Sequence, residues 1–471
     1  MPITQHSNTL IVDIGKTHVK VHLLDAGFTS ISSMQMKNKV VNSGEYPCVD
    51  ADGIWQWLTS SIRTLCRGYS VGAMTFTTHG ATAALIDRNS SEPDGLVLPI
   101  LDYEFDCAAL VRPEYDQLRP EFESTLSPSL PLGLNAGRQL YWLQQKYPQK
   151  FVSATDILMY PQYWAWRFTG TLCTEITSLG CHTDLWSVAE NRYSSLVEHM
   201  GIEDKFPPIE PAYFECGTLL PEVAELCGLN SDCLFYSGIH DSNASYLRYK
   251  LALEGQPFTV ISTGTWTVLM NSQGKLDALN ESRDMLANID AMGAPIACAR
   301  FMGGREFEEI CEQAGSWLGE QFDETDVERI IEQNVFAIPN FGAGSGPFGS
   351  APGRFQGAVD KISGIALATL YCALMIDYQL DMLDAEGNIY IEGAFLKNPI
   401  LIGIVAQLRS NQRVLLSQDT TGTVTGAAQL TQWMQANCEI VSENAHTTAL
   451  SGLAQYREAW RALAQSNLGN I

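Results

Sequence analysis

A glycine turn between two short strands occurs twice in this chain, and this repetition constrains the fold more than any other feature. The first copy runs from an apolar strand at residues 10–12 through Gly15 into an alternating strand at 19–23. The second runs from residues 258–261 through Gly264 into residues 266–270. Period-two alternation predicts half-buried strands. We therefore expect two lobes built on one plan, with both turns facing a shared cleft. Two unrelated hairpins that turn on glycine are the alternative.

The length of the chain supports two lobes, because single hydrophobic cores stop growing at roughly 250–300 residues and this chain has 471. After the first glycine turn, hydrophobic periodicity predicts the order βββαβ. In the second half the same reasoning predicts helices, strands and a final helix that only packs. The predicted elements are strands at 28–36, 71–77, 388–392 and 413–416, and helices at 54–66, 365–382, 399–409, from Gly426 onward, and at 453–465.

The strongly acidic composition narrows the class of partner. A formal net charge of -24 and the lack of any Lys/Arg run argue against binding to nucleic acid or acidic membranes. An acidic protein that binds a nucleotide is expected to use a metal ion to neutralise the phosphates. The 12 cysteines show no zinc or redox spacing, and no apolar segment of about 18 residues or leader-like start is present. We therefore expect a cytoplasmic protein with reduced thiols.

Two glycine-containing stretches resemble nucleotide motifs without satisfying them. In residues 341–347 the third glycine of a dinucleotide fingerprint would fall on Pro347, where no helix can begin with free amides. This stretch is predicted to be a loop. The G-K-T at residues 15–17 ends like a P-loop, but Leu10 occupies the position of its first glycine and the flanking residues form strands.

Asp13 stands at the end of the first strand, immediately before a turn whose amides point the same way. This arrangement suits a metal-bound phosphate. Asp13 is placed to hold Mg²⁺ or its waters, while the amides of Gly15, Lys16 and Thr17 and the Lys16 ammonium meet phosphate oxygens. An aspartate that caps an ordinary hairpin is the structural alternative.

Asp241 lies between an apolar strand at 233–236 and a helical run at 244–249. An aspartate at a helix start is commonly an N-cap. A carboxylate at such a strand-to-helix corner can also accept a proton from an attacking hydroxyl. Phosphoryl transfer needs little more than positioning, charge neutralisation and one such carboxylate.

Four segments in this order resemble the FGGY carbohydrate kinases of the actin, Hsp70 and hexokinase-like superfamily. They are D-I-G-K-T (13–17), G-I-H-D-S-N-A (238–244), S-T-G-T-W (262–266) and E-G-A-F-L-K-N (392–398). Residues 131–148 and 160–170 resemble the connecting helices of the family. The resemblance implies an α/β fold with two ribonuclease H-like lobes around a cleft, ATP and Mg²⁺ as cofactors, and a small sugar as partner. It also implies a sugar-binding lobe at 1–244 with the first phosphate loop, and a nucleotide-binding lobe at 245–471.

The resemblance assigns roles to matching positions. Asp241 is the general base and contacts the sugar, and Asp13 is the magnesium partner. The remaining roles are phosphate binding by Gly15, Lys16, Thr17, Thr263, Gly264 and Thr265, and adenosine contact by Gly393, Ala394 and Asn398. For the sugar, Thr78, His79 and Gly80 resemble the M-H-G segment of xylulokinases, although a buried structural histidine is the alternative for His79. Asp102 or Glu104 is expected to accept sugar hydroxyls, with the register open by two residues and Asp102 favoured.

The sequence departs from the family pattern at two places and leaves the substrate open. Lys16 replaces a usual hydroxyl residue, and Ala394 replaces the second of two paired glycines. The S-T-G-T-W loop resembles rhamnulokinase-like members, which act on deoxyketohexoses, but fuculose, xylulose, ribulose and polyols stay open. The rival readings are a non-kinase ATPase or silent sugar sensor of the same superfamily, and a Ser hydrolase or dehydrogenase, whose motifs are missing. A homodimer is one possible oligomeric state.

Overall fold

A computed structural model describes residues 8–342, 344–417, 421–433 and 439–466. The chain forms two compact units, and neither is a single stretch of sequence. Unit 1 comprises Met1–Ala252, Ala287–Pro295 and Thr421–Glu439. Unit 2 comprises Leu253–Leu286, Ile296–Thr420 and Ile440–Ile471.

The strands are numbered in chain order. They are β1 (Asn8–Ile14), β2 (His18–Leu24), β3 (Ser30–Lys37), β4 (Val40–Val41), β5 (Cys48–Val49), β6 (Val71–Thr78), β7 (Ala83–Ile86), β8 (Asp156–Met159), β9 (Thr174–Glu175), β10 (Trp186–Ser187), β11 (Arg192–Tyr193), β12 (Ile209–Glu210), β13 (Glu215–Thr218), β14 (Leu234–Tyr236), β15 (Ile239–His240), β16 (Phe258–Thr263), β17 (Thr267–Asn271), β18 (Met285–Ile289), β19 (Pro295–Phe301), β20 (Phe336–Ile338), β21 (Arg354–Gln356), β22 (Asn388–Gly393), β23 (Val414–Ser417) and β24 (Ser442–Asn444).

The α-helices are numbered in the same way. They are α1 (Ala51–Leu65), α2 (Ala108–Leu118), α3 (Phe122–Thr125), α4 (Ala136–Lys146), α5 (Pro148–Ser153), α6 (Tyr160–Thr169), α7 (Ile176–Leu179), α8 (Ser195–Met200), α9 (Pro221–Cys227), α10 (Asp241–Ala252), α11 (Gly303–Gln313), α12 (Glu324–Gln333), α13 (Gly364–Met382), α14 (Pro399–Leu408), α15 (Gly422–Ala428) and α16 (Leu453–Ser466).

The central sheet of unit 1 has the strand order β13-β14-β6-β1-β2-β3. β1 pairs antiparallel with β2 and parallel with β6, so that Ile14 lies beside Thr78 where both parallel strands end. β15 also pairs parallel with β6 and places His240 beside the same Thr78. Since the carboxyl ends of parallel strands are where α/β sheets bind ligands, this edge is the place to look for a site.

A second seven-stranded sheet has the order β18-β19-β17-β16-β22-β23-β24, and its six strands from β19 to β24 repeat this plan. β16 pairs antiparallel with β17 and parallel with β22, as β1 does with β2 and β6. Thr263 and Gly393 lie side by side where β16 and β22 end. The α/β fold class and the prediction of two lobes built on one plan are confirmed by this shared strand order.

The helices form where the sequence supplies caps and apolar stripes. α1 begins after Asp50, whose carboxylate accepts a hydrogen bond from the Gly53 amide, and it buries Ile54, Leu58 and Ile62 at helical spacing. α13 is long and apolar enough to cross a membrane by length and composition alone, but it is largely buried in the protein. We therefore describe it as a core helix.

Two expectations about organisation differ from the structure. The helix expected from Gly426 in the second lobe is α15, which begins four residues earlier at Gly422 and belongs to unit 1, packed on α10. A Cβ on Gly426 would lie 1.8 Å from the Ala244 carbonyl oxygen, so only glycine allows this approach. The boundary expected between residues 244 and 245 falls within α10, and the units divide after Ala252 instead.

The other predicted elements agree with the structure to within a few residues. The short hairpin of β4 and β5 interrupts the expected βββαβ order, and further elements, among them β18–β21, α11 and α12, were not predicted. No helix begins in the described part of residues 341–347, and Ala343 lies outside the described residues. The predicted loop is therefore confirmed there. Cys438 also lies outside the described residues, while every other cysteine is buried and free of disulfides.

Candidate active site

Asp241 and Asp13 both stand at the strand-end edge of the unit 1 sheet. Asp13 is the penultimate residue of β1 and is buried, whereas Asp241 begins α10 with its side chain 31% exposed. The Asp241 Oδ1 accepts hydrogen bonds from the Ser242 amide at 2.6 Å and the Ser242 hydroxyl at 3.2 Å. Gly238 makes this corner possible, since its φ is +91° and a Cβ there would lie 2.7 Å from the Phe76 carbonyl oxygen.

The electrostatics of Asp13 show that these two carboxylates influence each other. Burial raises the pKa of Asp13 to about 6, and the negative charge of Asp241 adds to this effect. Lys20 opposes the rise, with its Nζ 3.5 Å from Asp13 Oδ2. Burial disfavours the charged form of the Asp13 carboxylate, and a nearby cation would stabilise that form. The electrostatics of the site therefore favour a bound cation.

The donor set also suits Mg²⁺, which prefers oxygen ligands and keeps several waters. Within the described ranges, no cluster of three or more His, Cys, Asp and Glu side chains could hold a metal by itself. A magnesium ion at Asp13 would therefore take most of its ligands from nucleotide phosphates and water, which is how Mg²⁺ is commonly held at phosphate sites.

The first glycine turn is tied to the Asp102 segment by its lysine. The turn closes through a 2.9 Å hydrogen bond from the Gly15 amide to the His18 carbonyl oxygen. Lys16 Nζ lies 2.5 and 2.6 Å from the two Asp102 carboxylate oxygens and 3.3 Å from Glu104 Oε2. The same ammonium sits 4.8 Å from the centroid of the Tyr103 ring. Thr17 contributes its carbonyl oxygen, which accepts a hydrogen bond from the Asn38 amide.

Asp102 and Glu104 differ in environment although both contact Lys16. The Asp102 side chain is 4% exposed and that of Glu104 is 58% exposed. The Glu104 amide donates to Asp102 Oδ1 at 2.8 Å, which fixes the orientation of the Asp102 carboxylate. Of the two alternatives, Asp102 is therefore the buried carboxylate with the more firmly held orientation.

The corner at Thr78, His79 and Gly80 lies next to this ion pair. His79 is buried, its Nδ1 is 3.0 Å from the Gly80 carbonyl oxygen, and its ring packs 5.2 Å from that of Tyr103. Burial lowers the pKa of His79, so its imidazole is neutral and can both donate and accept. One polar pocket of unit 1 is lined by Lys16, Asn38, Lys39, Val40, Val49, His79, Thr82, Leu101, Asp102 and Tyr103.

His240 and Cys181 were not singled out by the sequence, yet both lie against Asp241 or its neighbour. His240 Nε2 is 3.3 Å from Asp241 Oδ1 and 3.9 Å from Cys181 Sγ. Cys181 follows α7 and has no motif around it, so only its position in space reveals the contact. The position of His240 next to Asp241 was the one available signal.

The second glycine turn joins β16 to β17 in unit 2. The Gly264 amide donates to the Trp266 carbonyl oxygen at 2.9 Å. Thr263 Oγ1 donates to the Glu392 carbonyl oxygen at 2.6 Å and accepts from the Phe395 amide at 2.9 Å. Gly393 has a φ of +91°, and a Cβ there would lie 2.0 Å from the Thr263 carbonyl oxygen. The second turn, which ends at Thr265, and the loop at Gly393 are thus held together as one structure.

Ala394 and Asn398 line a pocket of about 470 Å³ in unit 2. The Asn398 side chain is also structural, because its Oδ1 accepts from the Leu401 amide and its Nδ2 donates to Thr369 Oγ1. The other lining residues are Gly304, Phe307, Glu308, Leu318, Gly319, Glu320, Gln321, Phe322, Ile365, Phe395, Lys397, Pro399 and Ile400.

The sequence reading missed Gly304, which connects this pocket to the second turn. Its amide donates to the Gly264 carbonyl oxygen at 3.1 Å, and a Cβ on it would lie 2.5 Å from that oxygen. The signal was present: paired glycines after β19 open α11, and a helix N-terminus is a natural place for an anion.

Comparison with known families decides the affiliation of the chain. Residues 8–247 match the FGGY family of carbohydrate kinases, N-terminal domain, which is about half of the chain. Residues 255–439 match the carbohydrate kinase FGGY, C-terminal domain. The chain belongs to the FGGY carbohydrate kinase family.

Individual members of this family resemble the chain over different lengths. An L-fuculokinase of Salmonella typhi is 26% identical over 277 residues, and a probable L-xylulose kinase of Pasteurella multocida (strain Pm70) is 26% identical over 281. The matches cover 57% and 56% of these curated relatives, so the chain spans little more than half their length.

Solved structures of carbohydrate kinases extend the likeness to nearly the whole chain. A carbohydrate kinase from Novosphingobium aromaticivorans is 31% identical with a TM-score of 0.88, and the match covers 98% of this chain and 99% of that one. A ligand-bound xylulose kinase from Lactobacillus acidophilus is 16% identical with a TM-score of 0.81, and covers 98% of both chains. The second likeness concerns the fold alone.

Proposed function

We propose that this FGGY family member transfers the terminal phosphoryl group of ATP to a hydroxyl of a small sugar, a ketose or deoxyketose, with Asp241 as general base. The observation that carries the proposal is the placement of Asp241: a half-buried carboxylate at a helix start, beside Asp13 and at the sheet edge where β1, β6 and β15 end. The names of the relatives, which include a fuculokinase and xylulose kinases, support the choice of a ketose.

The local hydrogen bonds prepare Asp241 for proton transfer. In the described part of the chain, the hydrogen bonds to this carboxylate from Ser242 and the contact with His240 all end on Oδ1. Oδ2 is thus the oxygen that can accept the proton of an attacking sugar hydroxyl. General-base catalysis of this kind typically contributes 10²–10⁴-fold in rate.

On the nucleotide side, a magnesium ion held at Asp13 would supply neutralisation of the charge that develops during phosphoryl transfer. Asp13 holds the ion or its waters, and Lys20 keeps the Asp13 carboxylate in place. Phosphate binding is assigned to Gly15, Lys16 and Thr17 in unit 1. It is also assigned to Thr263, Gly264 and Thr265 in unit 2. Gly393, Ala394 and Asn398 contact the adenosine, and the pocket that Ala394 and Asn398 line has the size of a small-molecule site.

The sugar is proposed to bind at the polar pocket of unit 1. Thr78, His79, Gly80 and Asp102 offer both donors and acceptors to its hydroxyls, with Glu104 as the alternative carboxylate. Lys16, which also lines this pocket, is already neutralised by Asp102 and Glu104.

The remaining partners follow from the chemistry. A cytoplasmic reaction is part of the proposal, because ATP and Mg²⁺ are available there, and the net charge of -24 argues against nucleic acid or an acidic membrane as a partner. Whether the active form is a homodimer is a separate question for solution measurements.

The decisive experiment is a screen of ketoses, deoxyketoses and polyols by coupled ADP release, with L-fuculose, xylulose, ribulose and rhamnulose among them. We expect magnesium-dependent ADP release that requires one sugar or a small group of stereochemically related sugars. ADP release without any sugar would indicate a non-kinase ATPase. Calorimetric sugar binding without ADP release would indicate a silent sensor, and either result would refute the proposed function.

A further inference from the structure

We propose that His240 is a positioning residue for Asp241: its imidazolium lies 3.3 Å from Asp241 Oδ1 and leaves the other carboxylate oxygen to face the substrate hydroxyl. This inference rests on the proposed function, because it assigns His240 a task only if Asp241 acts as the base.

Asn243 fixes the protonation of His240 Nδ1, the ring nitrogen farther from Asp241. The Asn243 side chain is buried, and its Nδ2 donates to the Ile289 carbonyl oxygen. Because the amide nitrogen is committed there, the carbonyl oxygen Oδ1 faces His240 Nδ1 at 3.0 Å. An oxygen acceptor at that distance requires a proton on Nδ1.

The near ring nitrogen then faces a carboxylate. His240 Nε2 lies 3.3 Å from Asp241 Oδ1. With Nδ1 protonated, a neutral ring would leave an unprotonated Nε2 close to that negative oxygen, which is repulsive. A second proton turns the contact into an attractive ion pair. Although burial opposes the charge, Cys181 and Asp241 raise the pKa of His240 to about 10, which agrees with the imidazolium.

The ring cannot turn away from Asp241. A Cβ on Gly80 would lie 2.8 Å from His240 Nε2, so the backbone of the predicted sugar corner packs directly on the ring. The His240 amide donates to Thr177 Oγ1 at 3.0 Å and anchors the backbone from the other side. His240 thus links the sugar corner to the base.

Other ionisable groups lie around the His240 ring. Cys181 Sγ lies 3.9 Å from Nε2. Burial opposes ionisation of this thiol, yet His182 and His240 lower its pKa to about 5. Glu175 also interacts with His240, and burial raises the pKa of this carboxyl group to about 7. Together with Asp241 these are the titratable groups that face the ring from α7, its flanking residues and α10.

Two substitutions test whether an N–H group is needed at the position of Nε2. In His240→Gln the amide nitrogen can reach that position and present an N–H group to Asp241. In His240→Asn it reaches only the position of Nδ1. We expect His240→Asn to lower kcat by about 10²-fold, the cost of a misplaced catalytic group, with the KM for sugar and ATP within about twofold. His240→Gln should retain more of the rate.

The matched control is His22→Gln in the same unit. His22 is a buried histidine whose ring nitrogens have no hydrogen-bond partner among the described residues. Its substitution should lower the melting temperature without a selective fall in kcat. If folded His240→Asn keeps kcat within about twofold of the wild type, or if the Asn and Gln variants lose the same kcat, the positioning role is refuted.

A spectroscopic measurement tests the interaction between His240 and Asp241 without turnover. The inference about His240 can therefore fail independently of the proposed function. In ¹⁵N-histidine NMR spectra of the full chain at pH 7.5, we expect both His240 nitrogens to be protonated. Asp241→Asn should lower the pKa of His240, because the negative charge that stabilises the imidazolium is gone. A neutral His240 in the wild type, or a His240 unaffected by Asp241→Asn, would overturn the inference even if the chain phosphorylates a sugar. If no sugar elicits ADP release, the proposed function fails and with it the task assigned to His240.

Discussion

Lys16 Nζ lies 2.5 Å from Oδ1 and 2.6 Å from Oδ2 of Asp102, so that one ammonium covers both oxygens of a buried carboxylate. The proposed function gives the two residues different ligands, phosphate for Lys16 and sugar for Asp102. Both roles cannot be filled while this ion pair persists in its present form. Sugar hydroxyls that reach Asp102 should therefore release Lys16 toward the phosphates.

We expect Lys16→Met to raise the KM for ATP by about tenfold, the effect of losing roughly 1.4 kcal/mol of phosphate binding, and to leave the KM for sugar unchanged or lower. The sugar would no longer compete with an ammonium for Asp102. Lys37→Met on β3 is the control, since Lys37 is an exposed lysine outside the polar pocket. Steady-state kinetics with each substrate varied would contradict this assignment by showing a raised sugar KM with normal ATP use.

Asp241→Asn should lower kcat by about 10²–10⁴-fold, the range of general-base contributions. The swap is nearly isosteric, and Asn serves a helix start as well as Asp does, so the melting temperature should stay close to that of the wild type. Sugar-dependent ADP formation and thermal unfolding are measured on one preparation. Near-normal turnover by the folded variant would eliminate Asp241 as the base.

The sequence predicted Asp13 and Asp241 because each belongs to a local motif, a strand end or a helix start, whose geometry is set by its neighbours in the chain. It could not predict the Cys181–His240 contact, because the two residues are far apart in the chain and belong to no common motif. It also misplaced α15: the apolar residues of a helix indicate that it is buried, but not against which sheet. The close approach of Gly426 to the Ala244 carbonyl oxygen identifies the packing partner of α15, and only the structure shows this approach.

Asp13→Asn should stabilise the free protein while it abolishes most turnover. Burial raises the pKa of Asp13 from 3.8 to about 6, so the folded state binds more protons than the unfolded state between about pH 4 and 6. The free energy of unfolding falls as pH rises through that window, and the whole destabilisation by the charged Asp13 carboxylate is present above it.

Asp13→Asn should therefore raise the free energy of unfolding by up to about 3 kcal/mol at pH 7.5 and by about half of that at pH 5. Urea unfolding at the two pH values measures the difference, with the exposed Asp204→Asn as control. A variant that is less stable than the wild type at pH 7.5 would show that Lys20 outweighs burial at this site.

Gly304→Ala should disturb the second glycine turn and weaken nucleotide binding. The added methyl group would lie 2.5 Å from the Gly264 carbonyl oxygen, and backbone atoms on both sides leave little room to adjust. We expect the KM for ATP to rise about tenfold or more, with a loss of stability of about 1–3 kcal/mol. Gly44→Ala in unit 1 is the control, because its methyl group would meet only the Tyr46 carbonyl oxygen at 3.7 Å. Equal ATP kinetics in both variants would separate Gly304 from nucleotide binding.

Asp377→Asn should be among the most destabilising conservative changes in unit 2. Its fully buried carboxylate contacts Arg409 at 2.9 Å, Arg457 at 2.6 Å and Arg461 at 2.5 Å. Breaking a buried ion pair from one side typically costs about 3–5 kcal/mol. Asp381→Asn is the matched control, because Asp381 contacts the same arginines but is 40% exposed, where ion pairs contribute about 0–1 kcal/mol. Similar urea midpoints for the two variants would contradict this ranking.

The packing of α15 on α10 has a consequence for biosynthesis. The helix that begins with Asp241 is complete at Ala252, but its packing partner ends at Ala428. At translation rates of roughly 5–20 residues per second, the ribosome needs about ten seconds or more to make the intervening stretch. During that time nascent unit 1 lacks α15 and exposes the face of α10 around Ala244. Chaperone occupancy on stalled nascent chains should therefore persist past residue 252 and fall only when α15 has left the exit tunnel.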